Sequence, residues 1–175
     1  MGVVVNYNIS LQNVSCDRDC GFVQPIVTDS FNDINGVLYH RYRYSDDIIS
    51  ITWYVSSDAF NYTLVNKTDS SITLYTNQVF ARDWENRPTS FGHTLERPAN
   101  SQGFVIPAQT FSSGFFIPMR NYPDTPLLPN TFDSKRKAHR EAEKLLNKEY
   151  RLLLPLHVGS EQYNYRFTFA FSDIL

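Results

Sequence analysis

At 175 residues, with 42% hydrophobic and 15% aromatic side chains, the chain can build one domain around a sizeable core, which excludes global disorder. A formal net charge of −2 gives no overall pull toward nucleic acid or an anionic membrane. Purely apolar runs such as residues 3–5 and 152–154 fall far short of the roughly 20 residues a membrane-spanning helix needs.

Val3, Val5, Tyr7, Ile9 and Leu11 alternate with mostly polar residues, the period of a half-buried strand. Asn6, Asn8, Ser10 and Gln12 interrupt what would be the apolar segment of a secretory signal, so folded protein is expected from the first residues on. Cys16 and Cys20 follow, with three residues between them. This spacing fits a small disulfide-closed loop, and two unbonded thiols in a turn are the other reading. A zinc site would need about four ligands, and there is no second cysteine pair. Asn-X-Ser/Thr sequons begin at Asn8, Asn13, Asn61 and Asn66; in a secreted eukaryotic protein they would mark glycans on surface loops.

Residues 22–27 are extended around Pro25, which confines them to an edge or irregular segment. A turn-rich stretch at 32–36 leads into two β-branched and aromatic stretches, 37–44 and 48–55, joined by Ser45, Asp46 and Asp47 as a hairpin. Phe60, Tyr62 and Leu64 continue the alternation, and Ile72, Leu74, Val79 and Phe80 follow after another turn. Strand signals at this spacing point to a sandwich or barrel.

Seven of the nine prolines lie between Pro88 and Pro129. The region 81–130 therefore reads as short strands, at 104–106 and 115–117, embedded in long loops. Residues 120–132 are the best candidate there for an ordered surface loop. A helix is predicted over residues 134–150, with Asp133 or Ser134 as its N-cap. Ala138, Ala142, Leu145, Leu146 and Tyr150 share its apolar face, while Lys137, Arg140, Lys144, Lys148 and Arg151 cluster on the other side. Residues 152–158 then form a strand and 159–161 a turn. Tyr163, Tyr165, Phe167, Phe169 and Phe171 alternate with Asn164, Arg166, Thr168, Ala170 and Ser172 as a final antiparallel strand closing the core.

Three stretches, 3–11, 60–66 and 163–171, resemble in strand texture the Bacteroidetes-type cell-envelope proteins, often predicted lipoproteins of unknown function with an immunoglobulin-like sandwich. The resemblance implies an extracytoplasmic location, in the periplasm or at the cell surface, with a lipid anchor supplied by a leader that precedes these residues. It transfers no catalytic set.

No G-x-S-x-G turn, Gly-rich phosphate loop or H-E-x-x-H occurs. His40, His93, His139 and His157 are scattered over different elements and read as surface or strand residues. His139 and Glu143 read as an ordinary i, i+4 pair. The basic helix stripe either meets phosphates or is a solvated back, and the second reading is preferred, because the stripe lacks interleaved aromatics. Tyr39, Tyr42, Tyr44, Trp53, Tyr54, Trp84 and Phe91 supply platforms for stacking sugars if exposed, although most aromatics must be core. Trp84, in the polar segment 81–88, is the one whose neighbours suggest exposure.

The expected architecture is one all-β domain, an immunoglobulin-like antiparallel β-sandwich with one amphipathic helix inserted before the C-terminal hairpin. The expected function is non-enzymatic binding or assembly outside the cytoplasm, toward a protein or glycan partner, with no catalytic, cofactor or metal residues and no nucleic acid. The alternatives are a carbohydrate-binding module using exposed aromatics and a hydrolase assembled from distant residues.

Overall fold

The computed structural model describes residues 2–4, 7–19, 24–56, 58–93, 103–118 and 131–174. It is built almost wholly from antiparallel strands. One run of the chain forms a meander in which β3 (Ile26–Asn32), β4 (Leu38–Ser45), β5 (Ile49–Val55) and β6 (Phe60–Asn66) pair in sequence order. The predicted Ser45–Asp47 turn joins β4 to β5, with Tyr44 opposite Ile51 and Ser45 opposite Ser50. On the far side of β6 lie β11 (Phe111–Pro118) and then β9 (Pro88–His93).

The second half of the sheet centres on the hairpin of β13 (Glu149–Val158) and β14 (Glu161–Ile174), paired from Glu149–Ala170 through to Val158–Glu161. The free edge of β14 takes β2 (Tyr7–Cys16). The free edge of β13 is shared by β7 (Ile72–Leu74) at one end and β8 (Phe80–Arg82) at the other, with β10 (Phe104–Ile106) beyond β7. Because β8 also pairs with β9, the sheet is continuous, and it curls so that its two wings face each other.

Trp53 sits at their meeting point, fully buried. Its ring lies 5.1 Å from Phe167 and 5.7 Å from Phe169 of the opposite wing, and 5.8 Å from Tyr62 on its own. The alternating aromatics of 163–171 are thus the floor of the core, since Tyr165, Phe167, Phe169 and Phe171 are all buried. A buried carboxylate pins the wings further. Asp46, in the β4–β5 turn, accepts from the Tyr44 hydroxyl (2.9 Å) and from the Tyr165 hydroxyl on β14 (2.8 Å). Its other oxygen accepts from the backbone N–H groups of Ile48 and Ile49, at 2.8 Å each.

A small separate ladder pairs β1 (Val3–Val4) with β12 (Thr131–Phe132), beside the helix α1 (Lys135–Glu143). Ser134 is its N-cap, the side chain accepting from the Lys137 N–H. The helix is shorter than the 134–150 predicted. It stops at Glu143, the chain turns, and Asn147 takes a left-handed φ of 64°. Residues 149–151 have joined β13, and Tyr150 faces Phe169 across the ladder instead of lying on the helix. Pairing with the long β14 outweighs the helical propensity of this stretch, because a short isolated helix is marginal without packing.

The proline-rich region holds more strand than predicted. Both β8 and β9 form, and β11 has eight residues, six of them paired with β6. Pro88 is tolerated as the first residue of β9. The predicted surface loop at 120–132 lies outside the described residues up to 130.

Candidate binding site

The β8–β9 connection carries Trp84. Asp83 is buried and organises the turn, one carboxylate oxygen accepting from the N–H groups of Glu85 and Arg87 at 2.9 Å each. The other accepts from Arg87 Nε at 2.8 Å. Asn86 closes the turn with a φ of 61°, a conformation Asn tolerates better than most residues. Trp84 is thereby held half-buried, in edge-to-face contact with Tyr150 and Phe171, each 6.0 Å away. The Arg87 guanidinium lies 5.9 Å from its ring centroid.

Two clefts meet at this ring. The first, about 330 Å³, is lined by Arg82, Trp84, Asn86, Asn147, Lys148 and Arg151, with Asp83 and Glu149. The second, about 610 Å³, is lined by Trp84, Phe132, Glu141, Lys144, Leu145 and Lys148, with Glu85. Trp84 and Lys148 border both. Two features far apart in the sequence, the exposed-looking tryptophan and the basic end of the helical segment, are therefore brought to one place.

The five predicted basic residues do not form one stripe, because Lys148 and Arg151 lie beyond the helix. Lys137 pairs with Asp133 (3.0 Å), Lys144 and Arg140 with Glu141 (2.9 and 3.5 Å), and Arg151 with Glu149 (3.1 Å). The Lys144 ammonium holds the Glu141 carboxyl below the usual carboxylate range. Lys148 has no carboxylate within 4 Å among the described residues, and nor does Arg82, whose guanidinium donates to the Asn86 carbonyl at 3.1 Å. Arg82 was not singled out by the sequence. Only the register that sets it opposite Arg151 places it here.

The other aromatic candidates separate cleanly. Tyr42, Tyr44, Trp53 and Phe91 are buried core. Tyr39 and Tyr54 are partly exposed on the outer face of the meander and cluster with Phe31, Tyr54 to Phe31 at 5.0 Å and Tyr39 to Phe31 at 5.5 Å. The rings are inclined to one another by 31–85°, so they do not make a flat platform. Beside them, Arg41, Tyr54, Asn61 and Phe115 line a shallow groove of about 390 Å³.

Of the histidines, His139 Nε2 lies 3.0 Å from Glu143 in the expected i, i+4 geometry, and His157 Nε2 is 3.1 Å from Gln78. His40 Nδ1 is 2.6 Å from the Ser30 hydroxyl. No carboxylate orients that imidazole among the described residues, and the pair lines none of the clefts described above, so the geometry of a nucleophile–base pair is incomplete. The His93 side chain lies outside the described residues. Among those described, no three of His, Cys, Asp and Glu come together as metal ligands.

Cys16 is disulfide-bonded, and Cys20 lies outside the described residues. The segment after Cys16 is tied to the start of β14, with Asp17 accepting from the Asn164 N–H at 3.0 Å and Arg18 donating to the Gln162 carbonyl at 2.8 Å. Among the sequons, Asn13 is exposed and Asn66 fully buried. The Asn66 carboxamide donates to the carbonyls of Ser70, Ile106 and Pro107 at 2.8–3.1 Å, the work of a structural anchor.

No family model, curated protein or solved structure matches this chain. Among the described residues, no helix is long and apolar enough to cross a membrane.

Proposed function

We propose that this chain is a non-enzymatic binding protein that works outside the cytoplasm and holds its ligand at the Trp84 clefts. One observation carries the reading: Trp84, Lys148, Arg82 and Arg151 line a common concavity, combining an aromatic surface with convergent polar groups as ligand sites do. The bonded state of Cys16 supports an oxidising compartment, where disulfides persist. A glycan is favoured over a protein partner because an amphipathic ring beside amides and charges suits a hydroxyl-rich surface.

The envelope location and a sandwich of immunoglobulin type belong to this proposal as well. The two facing wings support the sandwich. The four-strand meander β3–β4–β5–β6 differs from the A-B-E-D and C-F-G sheets of immunoglobulin domains, so the subtype rests on the resemblance in strand texture alone.

The test is a binding screen of the full chain against glycans and envelope extracts, run in parallel with Trp84→Ala. A ligand retained by the parent and lost at least tenfold by the variant supports the reading. A ligand bound equally by both moves the site elsewhere on the molecule.

A further inference from the structure

Resting on that reading of the cleft, we infer that the ligand is a saccharide carrying an acidic group, with the acid set between Arg82, Arg151 and Lys148 and a sugar ring lying against Trp84. The register of β8 and β13 sets Arg82 directly opposite Arg151, and both line the first cleft with Lys148. Directly opposed residues on adjacent strands stand on one face with Cβ atoms about 5 Å apart, where like charges repel. Glu149 answers only one of these cations, through Arg151. Asp83 is already engaged by Arg87. Arg82 and Lys148 are left facing the cleft with no carboxylate within 4 Å among the described residues, so an incoming anion relieves a repulsion that the fold has built in. Guanidinium groups match carboxylate and sulfate oxygens with paired donors.

The remaining lining says that the ligand is more than an anion. Asn86 and Asn147 present groups that both donate and accept, and Glu149 presents acceptors only. Hydroxyl groups satisfy both kinds, whereas a bare ionised anion offers acceptors only and leaves the acceptor groups of Asn86, Asn147 and Glu149 unmet. The cleft, at about 330 Å³, lies at the small end of ligand sites, a size for one sugar unit of a longer chain. A nucleic acid is disfavoured by the net charge of −2, since phosphate backbones are held by many cations at once.

The experiment is calorimetric titration of the full chain with three oligosaccharides of equal length, one built of uronate units, one sulfated and one neutral, at low and at physiological salt. The parent should bind at least one acidic oligomer ten times or more tightly than the neutral one. Arg82→Gln and Lys148→Gln should each weaken that binding at least tenfold, and Glu149→Gln should tighten it. Near-ultraviolet circular dichroism checks that each variant is folded. Stronger binding of the uronate or of the sulfated oligomer tells the two acids apart.

Equal binding of neutral and acidic oligomers, both lost in Trp84→Ala, would overturn the acid while leaving the cleft in place. Acidic binding that ignores Trp84→Ala and vanishes at physiological salt would be surface charge alone and would overturn the inference. Failure to bind any of the three also overturns it, and the Trp84→Ala comparison with envelope extracts then decides separately whether the cleft binds something else.

Discussion

Asp46 shows how much one residue carries. It is buried and accepts four hydrogen bonds, from two tyrosine hydroxyls and two backbone N–H groups. Removing the acceptor leaves four donors without it, three of them in buried bonds, at about 1–3 kcal/mol for each buried group left unsatisfied. Asp46→Ala is expected to lose about 3 kcal/mol or more of stability in urea titration. Tyr165→Phe, which removes one donor and leaves the carboxylate three partners, should lose about 1 kcal/mol. The same site makes the protein sensitive to alkali. Burial, and then the Asp46 charge, push the Tyr44 and Tyr165 phenols well above their ordinary value of 10.0, and burial pushes Tyr7 up to about 12. Above pH 10 the unfolded chain gives up these protons first, so the folded state binds more of them and stability falls as pH rises. Unfolding measured from pH 8 to 11 should show full stability up to about 10 and a decline beyond it. The decline should be shallower in Tyr165→Phe.

At the scale of elements, α1 depends on local chemistry that the sequence displays and on docking that it does not. Ser134→Ala removes the cap on the Lys137 N–H and should cost about 1 kcal/mol in thermal or urea unfolding. Lys137→Ala breaks only an exposed ion pair with Asp133 and should change stability by less than about 0.5 kcal/mol. The predicted helix ran too far because residues 144–151 keep a helical apolar spacing. The β14 ladder takes Tyr150 from them, and the left-handed Asn147 makes the break, its N–H donating to the Phe171 carbonyl at 2.9 Å. Short strands such as β9 were missed for the opposite reason. The alternation of buried Thr89 and Phe91 spans too few residues to stand out, β8 before it has only three residues, and its other neighbour, β11, lies about twenty residues further along the chain.

For the whole molecule, Trp53 joins the two wings. Trp53→Ala should cost about 3–5 kcal/mol, since a large cavity would open between packed sheets. Trp53→Phe should cost far less in the same urea titration, because the buried indole N–H has no hydrogen-bond partner among the described residues to lose. A loss equal to that of the alanine variant would mean that the indole makes a contact beyond packing. The candidate cleft also belongs to this scale. It is assembled from the β8–β9 turn, the exit of α1 and the start of β13, pieces that the pairing of β8 with β13 brings together.

What the sequence by itself determined was periodic: strands where polar and apolar residues alternate, turns where Asp, Asn, Gly and Ser cluster, a capped helix before the last hairpin, and the aromatic face of 163–171 as core. These follow from neighbours along the chain and from burial of large apolar area. Trp84 and the basic residues Lys148 and Arg151 were legible as separate candidates for the same reason, since residue type and local polarity need no fold. Tertiary structure alone decided that they share a cleft, that Arg82 joins them, that α1 stops at Glu143, and that Asp46 is buried beneath two tyrosines from different wings. Each of these depends on strand register across long sequence separations, and register is set by packing between faces, which no local pattern encodes.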